Sequence, residues 1–195
     1  MRTPRVFHSS SLKGKDRVAL DPGAAKHLST VLRLKPGAAL TLFDGSGFEF
    51  EARLDQADKK QMWVTLTGMH GPAVESPLHV TLVQGVSRGE RMDYTVQKAV
   101  ELGIGAILPV LTERSVVKLD KDNGARKREH WQGVVIGACE QSGRVRVPEV
   151  QPPLPLANFL ADLPQAGLKL LLDPLASNAA NDLSKPSDGR VLLLV

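Results

Sequence analysis

The chain of 195 residues contains a single cysteine, Cys139. One thiol excludes an intramolecular disulfide framework and any structural zinc site built on cysteines. Because Cys139 ends the mainly apolar stretch 134–139, we predict a packed core thiol rather than a nucleophile. The five histidines are scattered without the spacing of metal ligands, so no metal site is predicted.

Aromatic residues are also scarce, at 4% of the chain, which leaves few rings on which RNA bases can stack. No segment approaches the roughly 20 consecutive apolar residues that span a bilayer. Residues 1–11 lack the apolar run of a secretory signal. These absences predict a cytoplasmic protein without a membrane partner.

Positive charge is unevenly distributed. The formal net charge is +4, yet residues 1–150 carry 22 Lys and Arg against 17 Asp and Glu, and residues 151–195 carry 3 against 4. A contact with a polyanion is therefore expected in the first three quarters of the chain. An ordinary soluble surface explains the same excess equally well.

The first 70 residues have the pattern of short strands. Four apolar side chains alternate with charged ones from Phe48 to Asp55, which indicates a half-buried strand. The preceding apolar residues 40–43 and the turn 44–47 complete a hairpin, and Met62 to Leu66 supplies a further strand. We predict a small β-barrel interrupted by one helix.

That helix is expected to begin with Asp21 as its cap and Pro22 at its first position. Its predicted apolar face comprises Ala24, Leu28, Val31 and Leu32. Its other face carries Lys26, His27 and Arg33.

A Gly- and Pro-rich break from Gly68 to Pro77 predicts a boundary between a domain at 1–70 and another at 77–195. Beyond it, apolar strands alternate with helices. The predicted strands are 79–83, 106–110, 168–172 and 191–195, and the predicted helices are 91–102, 126–141 and about 156–163. Such alternation predicts an α/β fold with a mainly parallel sheet covered on both faces.

Three polar segments are candidates for chemistry. On the helix 91–102, Asp93, Gln97 and Glu101 form a polar stripe beside Lys98, although a solvated face with local ion pairs gives the same pattern. The triplet Glu113-Arg114-Ser115 follows the strand 106–110, at the end where α/β proteins build their sites.

The third segment is Glu140-Gln141-Ser142-Gly143-Arg144. Here Gly143 is expected to end the helix in a left-handed conformation, so that Ser142 and Arg144 project from a fixed turn. Arg144 and Arg146 together suit a phosphate or a developing negative charge, and an unexceptional helix end has the same appearance.

In order along the chain, these segments resemble the RsmE family of bacterial 16S ribosomal RNA uridine N3-methyltransferases. The matching pieces are His27-Leu28 with Val31-Leu32-Arg33, Asp44 to Gly47, Gln84-Gly85 through Met92-Asp93, Gln97 to Gly103, Pro109, Glu113 to Ser115, Trp131, and Glu140 to Arg144 with Val147-Pro148. Arg88 stands where the family often has lysine.

The resemblance implies a PUA-like RNA-binding barrel at 1–70 and a SPOUT-type α/β domain with a trefoil knot at 77–195. It also implies S-adenosylmethionine as cofactor, 16S ribosomal RNA of the small subunit as partner, and a homodimer. The expected RNA-binding residues are Lys26, His27, Arg33, Arg88, Lys98, Gln141 and Ser142. The expected cofactor-binding residues are Leu172, Asp173, Pro174, Leu194 and Val195.

In this family a strand like 191–195 is followed by a Gly-Pro-Glu-Gly-Gly loop and later by a segment that completes the knot. Neither follows here, so the resemblance implies a chain truncated ahead of its cofactor loop.

Uridine N3 carries a proton and is a poor nucleophile until that proton is lost, so the site needs a base or cations that stabilise the uracil anion. Arg114 and Arg144 are the candidate cations, and Glu101 or Asp93 the candidate base, and the sequence does not rank them. Two alternatives stay open: a non-catalytic RNA-binding or ribosome-assembly module, and a SPOUT methyltransferase that acts on tRNA.

Overall fold

The computed structural model describes residues 3–55, 61–71, 75–113, 115, 121–177, 179 and 182–195. Its contacts divide the chain into two compact units. The first comprises Met1–Val74 with Cys139–Val147, and the second comprises Glu75–Ala138 with Pro148–Val195. The sequence pattern placed 139–147 wholly in the second domain, whereas these residues pack within the first unit. The domain bounds 1–70 and 77–195 stay a prediction.

The first unit is built on a five-stranded sheet. Its strands are β1 Arg5–Phe7, β2 Arg17–Ala19, β3 Ala39–Phe43, β4 Glu49–Leu54 and β5 Trp63–His70, in the order β1-β3-β4-β5-β2. The predicted hairpin is confirmed, since β3 and β4 pair antiparallel with Leu42 opposite Phe50. The strand predicted from Met62 to Leu66 runs four residues further, to His70.

The alternation on β4 is confirmed as well, because Phe50, Ala52 and Leu54 are buried and the residues between them are not. They pack against Leu40, Leu42 and Val64 and other apolar residues in one core. Each fully buried leucine stabilises the unit by about 1.5–3 kcal/mol relative to an exposed one.

One helix interrupts this sheet, α1 at Pro22–Lys26. Pro22 occupies its first turn and Asp21 its N-cap position, both as predicted. The Asp21 carboxylate makes no capping bond. It instead accepts hydrogen bonds from the amide of Ser9, at 3.0 Å, and from the Ser9 hydroxyl, at 3.1 Å.

α1 passes directly into a π-helical turn, His27–Val31, which the sequence pattern did not predict. The wider turn, closed by the Leu32 amide bonding the His27 carbonyl at 3.1 Å, changes which residues face inward. Leu28 is buried, whereas Val31 is 64% and Leu32 39% exposed. The predicted apolar face was therefore wrong for these last two residues. Arg33 follows in a left-handed conformation, with φ at 51°.

The second unit is built on a six-stranded sheet. Its strands are β6 His79–Gly85, β7 Ala106–Leu111, β8 Glu149–Val150, β9 Leu154–Pro155, β10 Leu168–Leu171 and β11 Arg190–Leu194. The order is β10-β11-β6-β7-β8, with β9 also against β7, and every pairing is parallel. The predicted α/β class with a parallel sheet is confirmed.

In the described part of this unit, three helices connect the strands: α2 Glu90–Glu101, α3 Lys121–Ser142 and α4 Leu156–Ala161. The spacing of Met92, Val96, Ala99 and Val100 predicts one apolar face on α2, and all four residues are buried. α3 begins five residues earlier than predicted, and Cys139 near its end is buried, as expected of a core thiol. Within the described residues, no helix combines the length and apolarity needed to cross a bilayer.

Candidate functional site

In the parallel sheet of the second unit, the strand order reverses between β6 and β11. From β6 the chain adds β7 and then β8 on one side, and it later places β11 and β10 on the other. In open α/β sheets, ligands bind beyond the carboxyl ends of the strands at such a reversal. A ligand site is therefore expected at the carboxyl ends of β6 and β11, at Gly85 and Leu194.

Backbone pairing continues to the very end of this edge. The Val195 amide donates to the Val83 carbonyl at 3.0 Å, and the Gly85 amide donates to the Val195 carbonyl at 2.9 Å. A Cβ atom at Gly85 would lie 3.4 Å from that same carbonyl oxygen, an ordinary van der Waals contact, so the strand pairing does not require glycine at this position.

All five residues predicted to bind the cofactor lie at this edge, since β10 ends beside β11. Leu171 is paired with Leu194, and the Leu172 amide donates to the Leu194 carbonyl at 3.0 Å. Leu172 and Val195 are about half exposed, and Asp173 and Pro174 follow on the surface. The Asp173 carboxylate turns the chain by accepting the Leu175 amide at 2.8 Å. The edge combines apolar side chains with one exposed carboxylate.

The neighbouring ends supply polar groups. After β7, the Ser115 hydroxyl accepts the Thr112 amide at 3.1 Å and forms a tight turn. Arg88 lies exposed in the loop that follows β6. Arg114, a candidate catalytic cation, lies outside the described residues.

Glu101 is engaged by its own helix. The Lys98 ammonium lies 2.6 Å from one carboxylate oxygen, and the Gln97 amide donates to the other at 2.9 Å. The hydrogen bond from Lys98, followed by that from Gln97, lowers the pKa of Glu101. The hydrogen bond to Glu101 in turn raises the pKa of Lys98. A carboxylate stabilised in its charged form is a weak base, so the chemistry disfavours Glu101 as proton acceptor.

Position along α2 gives a second argument about Glu101. The helix starts at the carboxyl edge, after β6, and ends at the amino edge, before β7. Twelve residues rising about 1.5 Å each make the helix roughly 18 Å long. Glu101 and Lys98 therefore lie at the far end from Leu194. Asp93, in the first turn, is nearer the carboxyl edge.

Asp93 is tied to the neighbouring helix. Both of its carboxylate oxygens lie 2.9 Å from Nε2 of His130 on α3. Both side chains remain partly exposed, so this pair is open to solvent.

The first unit contains a separate pocket of about 220 Å³. We call it the α3-end pocket, and its main lining residues are Arg5, His27, Leu32, Leu34, Glu140 and Gln141. It joins two predicted RNA-binding residues that are far apart in sequence, His27 and Gln141. Lys26, Arg33 and Ser142, which are predicted for the same role, are exposed beside them in the chain.

Arg5 connects several residues around this pocket, and the sequence pattern did not predict this role. Its guanidinium pairs with Glu49, donates to the carbonyls of Gly143 and Arg144 at 3.2 and 3.4 Å, and lies over the Phe43 ring at 5.3 Å. The predicted glycine cap is confirmed, because Gly143 has φ at 88° and its amide bonds the Cys139 carbonyl at 3.0 Å.

Glu140 is the second residue that sequence reasoning did not assign. One of its carboxylate oxygens accepts the Phe7 amide at 3.0 Å. Burial raises the pKa of Glu140, while the Phe7 hydrogen bond and the charges of His27 and Arg5 oppose this. Its place in the Glu140–Arg144 motif was the available signal, although only the residues around it were singled out.

The turn Asp44 to Gly47 also meets the α3 end. Burial alone would raise the pKa of Asp44, but hydrogen bonds from Ser46 and the Leu12 amide lower it. A Cβ atom on Gly47 would lie 3.2 Å from the Arg146 guanidinium, so glycine leaves room for that arginine. Arg144 is partly buried in the same unit, whereas Asp93 and Glu101 belong to the other. Among the described residues, no three His, Cys, Asp or Glu side chains cluster as a metal site.

Two family models match this chain. A model of the RNA methyltransferase domain matches residues 74–195, and a model of the RNA methyltransferase PUA domain matches residues 20–67. A solved structure described as ribosomal RNA small subunit methyltransferase E from Neisseria gonorrhoeae, bound to S-adenosyl methionine, is 37% identical. It has a TM-score of 0.89, and the match covers 99% of this chain and 79% of that one. The chain belongs to this RNA methyltransferase family.

Other relatives agree with this assignment. The structure of the putative methyltransferase Lpg2936 from Legionella pneumophila, in complex with the cofactor SAM, is 38% identical with a TM-score of 0.93, over 100% of this chain and 80% of that one. Ribosomal RNA small subunit methyltransferase E of Buchnera aphidicola from Schizaphis graminum is 26% identical over 93% of this chain and 74% of its own length. The resemblance to the RsmE family, with its PUA-like and SPOUT-type units, is confirmed.

Proposed function

We propose that this family member methylates 16S ribosomal RNA of the small subunit with S-adenosylmethionine, at N3 of a uridine. The observation that carries the proposal is similarity over essentially the whole chain, at 37–38% identity, to two proteins solved with that cofactor. One of them is named as a ribosomal RNA small subunit methyltransferase.

The carboxyl edge fits the chemistry of the cofactor. Half-exposed Leu172 and Val195 offer apolar surface, and Asp173 offers a carboxylate that accepts hydrogen bonds from hydroxyl or ammonium donors. We assign these residues, with Pro174 and Leu194, to cofactor binding. When bound, S-adenosylmethionine supplies an electrophilic methyl group.

The chain's own residues then position the uracil and manage its N3 proton. We assign Arg144 and Arg114 to stabilising the uracil anion, because a preorganised cation is most effective where charge develops. Asp93 is retained as the candidate proton acceptor and Glu101 is set aside, since Lys98 and Gln97 already occupy its oxygens. Lys26, His27 and Arg33 in the first unit, with exposed Arg88, are assigned to the RNA backbone.

A ribosomal substrate implies work in the cytoplasm, and the family resemblance implies a homodimer. The large exposed side chains Leu171, Leu172 and Leu175 of the second unit are consistent with further burial of this surface. Light scattering on the purified protein measures its oligomeric state directly, and a monomer at all concentrations contradicts the dimer.

The test uses small ribosomal subunits from cells that lack the enzyme, labelled S-adenosylmethionine, and mass mapping of the RNA product. We expect N3-methyluridine at one position of 16S RNA. Arg144→Ala is expected to slow methylation by about 100-fold, the effect of losing one charge-stabilising donor. Arg190→Ala, which removes an exposed arginine at the amino end of β11, is the matched control and should remain close to wild type.

Each other result selects a different function. Methylation of tRNA but not of small subunits identifies a tRNA enzyme. RNA binding without any methyl transfer identifies a non-catalytic assembly module. A methyl group on another atom keeps the enzyme class and overturns the N3 assignment.

A further inference from the structure

We propose that the α3-end pocket holds one unpaired guanine of the RNA and reads it through the carboxylate of Glu140. This inference rests on the proposed function, in that the bound macromolecule is RNA. It adds a specificity element in the first unit, for a base that is bound and not methylated.

The size of the pocket fits one base. Its volume is about 220 Å³. Sites for whole drug-sized ligands have roughly 300–1,000 Å³. A single flat ring system inserted from a flexible strand fits this smaller space, and sequence-specific RNA recognition mostly uses such splayed-out, unpaired bases.

The charge inside the pocket selects a base over a phosphate. Glu140 is a half-buried carboxylate, and the positive charge of Arg5 is already committed to Glu49 and to two backbone carbonyls. A phosphate entering here meets the negative charge of Glu140, while Arg5, the cation among the described lining residues, is engaged by other partners. An uncharged ligand that brings hydrogen-bond donors is favoured instead.

Among the four bases, guanine presents the donors that a carboxylate needs. An ionised carboxylate only accepts hydrogen bonds, and its two oxygens offer about four acceptor sites. The Phe7 amide occupies one of these sites on Glu140, so a pair of donors can still be accepted. Guanine offers two adjacent donors, N1–H and the N2 amino group, on one edge. Uracil offers a single N–H between two carbonyl acceptors, and adenine and cytosine offer an amino group beside an acceptor nitrogen.

One lining residue, Leu32, is exposed although the helix pattern predicted it to be buried. The π-helical turn leaves Leu32 partly exposed, and this side chain with Leu34 lines the pocket. These two residues supply apolar surface against a base face, which a protein with few aromatic rings needs. His27 and Gln141 complete the polar part of the lining.

Exposed cations stand next to this pocket in the chain. Lys26 precedes His27, and Arg33 lies between the two lining leucines, both exposed. Arg33 is held in a left-handed conformation, and side chains in such unfavourable conformations cluster at binding sites. The arrangement places a base-reading carboxylate among groups suited to the flanking phosphates.

The experiment measures binding of short single-stranded oligoribonucleotides to the complete protein by fluorescence anisotropy. The central base is guanine, inosine, adenine or uracil, and inosine lacks only the N2 amino group of guanine. We expect the wild type to prefer guanine over uracil by about 10-fold or more, with inosine between them, as for a good bidentate contact.

Three variants separate base reading from general RNA binding. Glu140→Gln should reduce the guanine preference to within about twofold. Glu51→Gln, an exposed carboxylate on β4 of the same unit, is the matched control and should retain it. Lys26→Ala should weaken all four oligonucleotides equally and flatten the salt dependence, because fewer phosphates are neutralised.

Equal affinity of the wild type for all four bases overturns the guanine pocket and leaves RNA binding intact. If the wild type binds none of the oligonucleotides, both the guanine pocket and the role of the first unit in RNA binding are overturned. The proposed enzyme activity is tested separately, by methylation of small subunits. The wild-type comparison of guanine with inosine needs no variant, so a misfolded Glu140→Gln protein does not weaken the test.

Discussion

Replacing Arg5 by alanine should destabilise the first unit, because this side chain joins β1 to the end of α3. The guanidinium loses its ion pair with Glu49, its hydrogen bonds to the carbonyls of Gly143 and Arg144, and its contact with the Phe43 ring. Each of these groups belongs to the first unit.

The burial of the pair sets the magnitude. The side chain of Arg5 is 11% exposed and that of Glu49 is 32% exposed, so the pair is neither a surface pair nor a fully buried one. Surface pairs contribute about 0–1 kcal/mol. Breaking a buried pair costs about 3–5 kcal/mol. Water can reach Glu49 after the substitution, so we expect the free energy of unfolding to fall by about 2–3 kcal/mol.

The two tryptophans make the assay specific, because Trp63 belongs to the first unit and Trp131 to the second. In a Trp131→Phe background, urea unfolding followed by fluorescence reports the first unit. Arg5→Lys keeps the charge but cannot bridge several acceptors, so it should recover less than half of the loss. A double-mutant cycle with Glu49→Gln isolates the pair, with an expected coupling of about 1–2 kcal/mol. A coupling near zero, or an unchanged midpoint for Arg5→Ala, would refute the reasoning.

Three further predictions use the same assay. Gly143→Ala should cost about 1–2 kcal/mol purely through the left-handed backbone, since no atom lies within 4 Å of the added Cβ, and an unchanged midpoint excludes that cap. Arg33→Gly should stabilise the unit by about 0.5–1 kcal/mol while weakening RNA binding, and a loss of stability contradicts the assigned strain. Burial lowers the pKa of His8 below 6.5, with Asp21 opposing. The unfolded chain therefore binds the proton first, so stability should decline as pH falls from 6.5 toward the folded pKa, and His8→Phe should lose this dependence.

Regular periodicity explains what the sequence predicted well. The spacing of Met92, Val96 and Val100 identifies the buried face of α2, and the strict alternation from Phe50 to Leu54 identifies that of β4. Both signals are local, and the burial of each face within its own unit reinforces them. Glycine was equally informative at the end of α3, where Gly143 was predicted to adopt a left-handed conformation and has φ at 88°.

Residues that depend on distant partners were not predictable in this way. The π-helical turn at His27–Val31 changes the helix phase by one residue, and no local pattern marks that change. Arg5 and Glu140 gain their roles from contacts between β1 and the end of α3, more than 130 positions apart in sequence. Asp21 was a reasonable cap by residue type, but Ser9 competes for its carboxylate.

The first unit is discontinuous, since Cys139–Val147 packs with Met1–Val74. During synthesis, its last structural piece leaves the ribosome only after roughly 70 further residues have been added. At about 5–20 residues per second, this interval lasts roughly 4–15 s. For that time Arg5 and the Phe7 amide lack their partners, Gly143 and Glu140, although the strands around them have been made. The first unit to emerge from the ribosome thus cannot complete its packing until Glu75–Ala138 of the second unit has been made, and Pro148–Val195 of the second unit follow only afterwards.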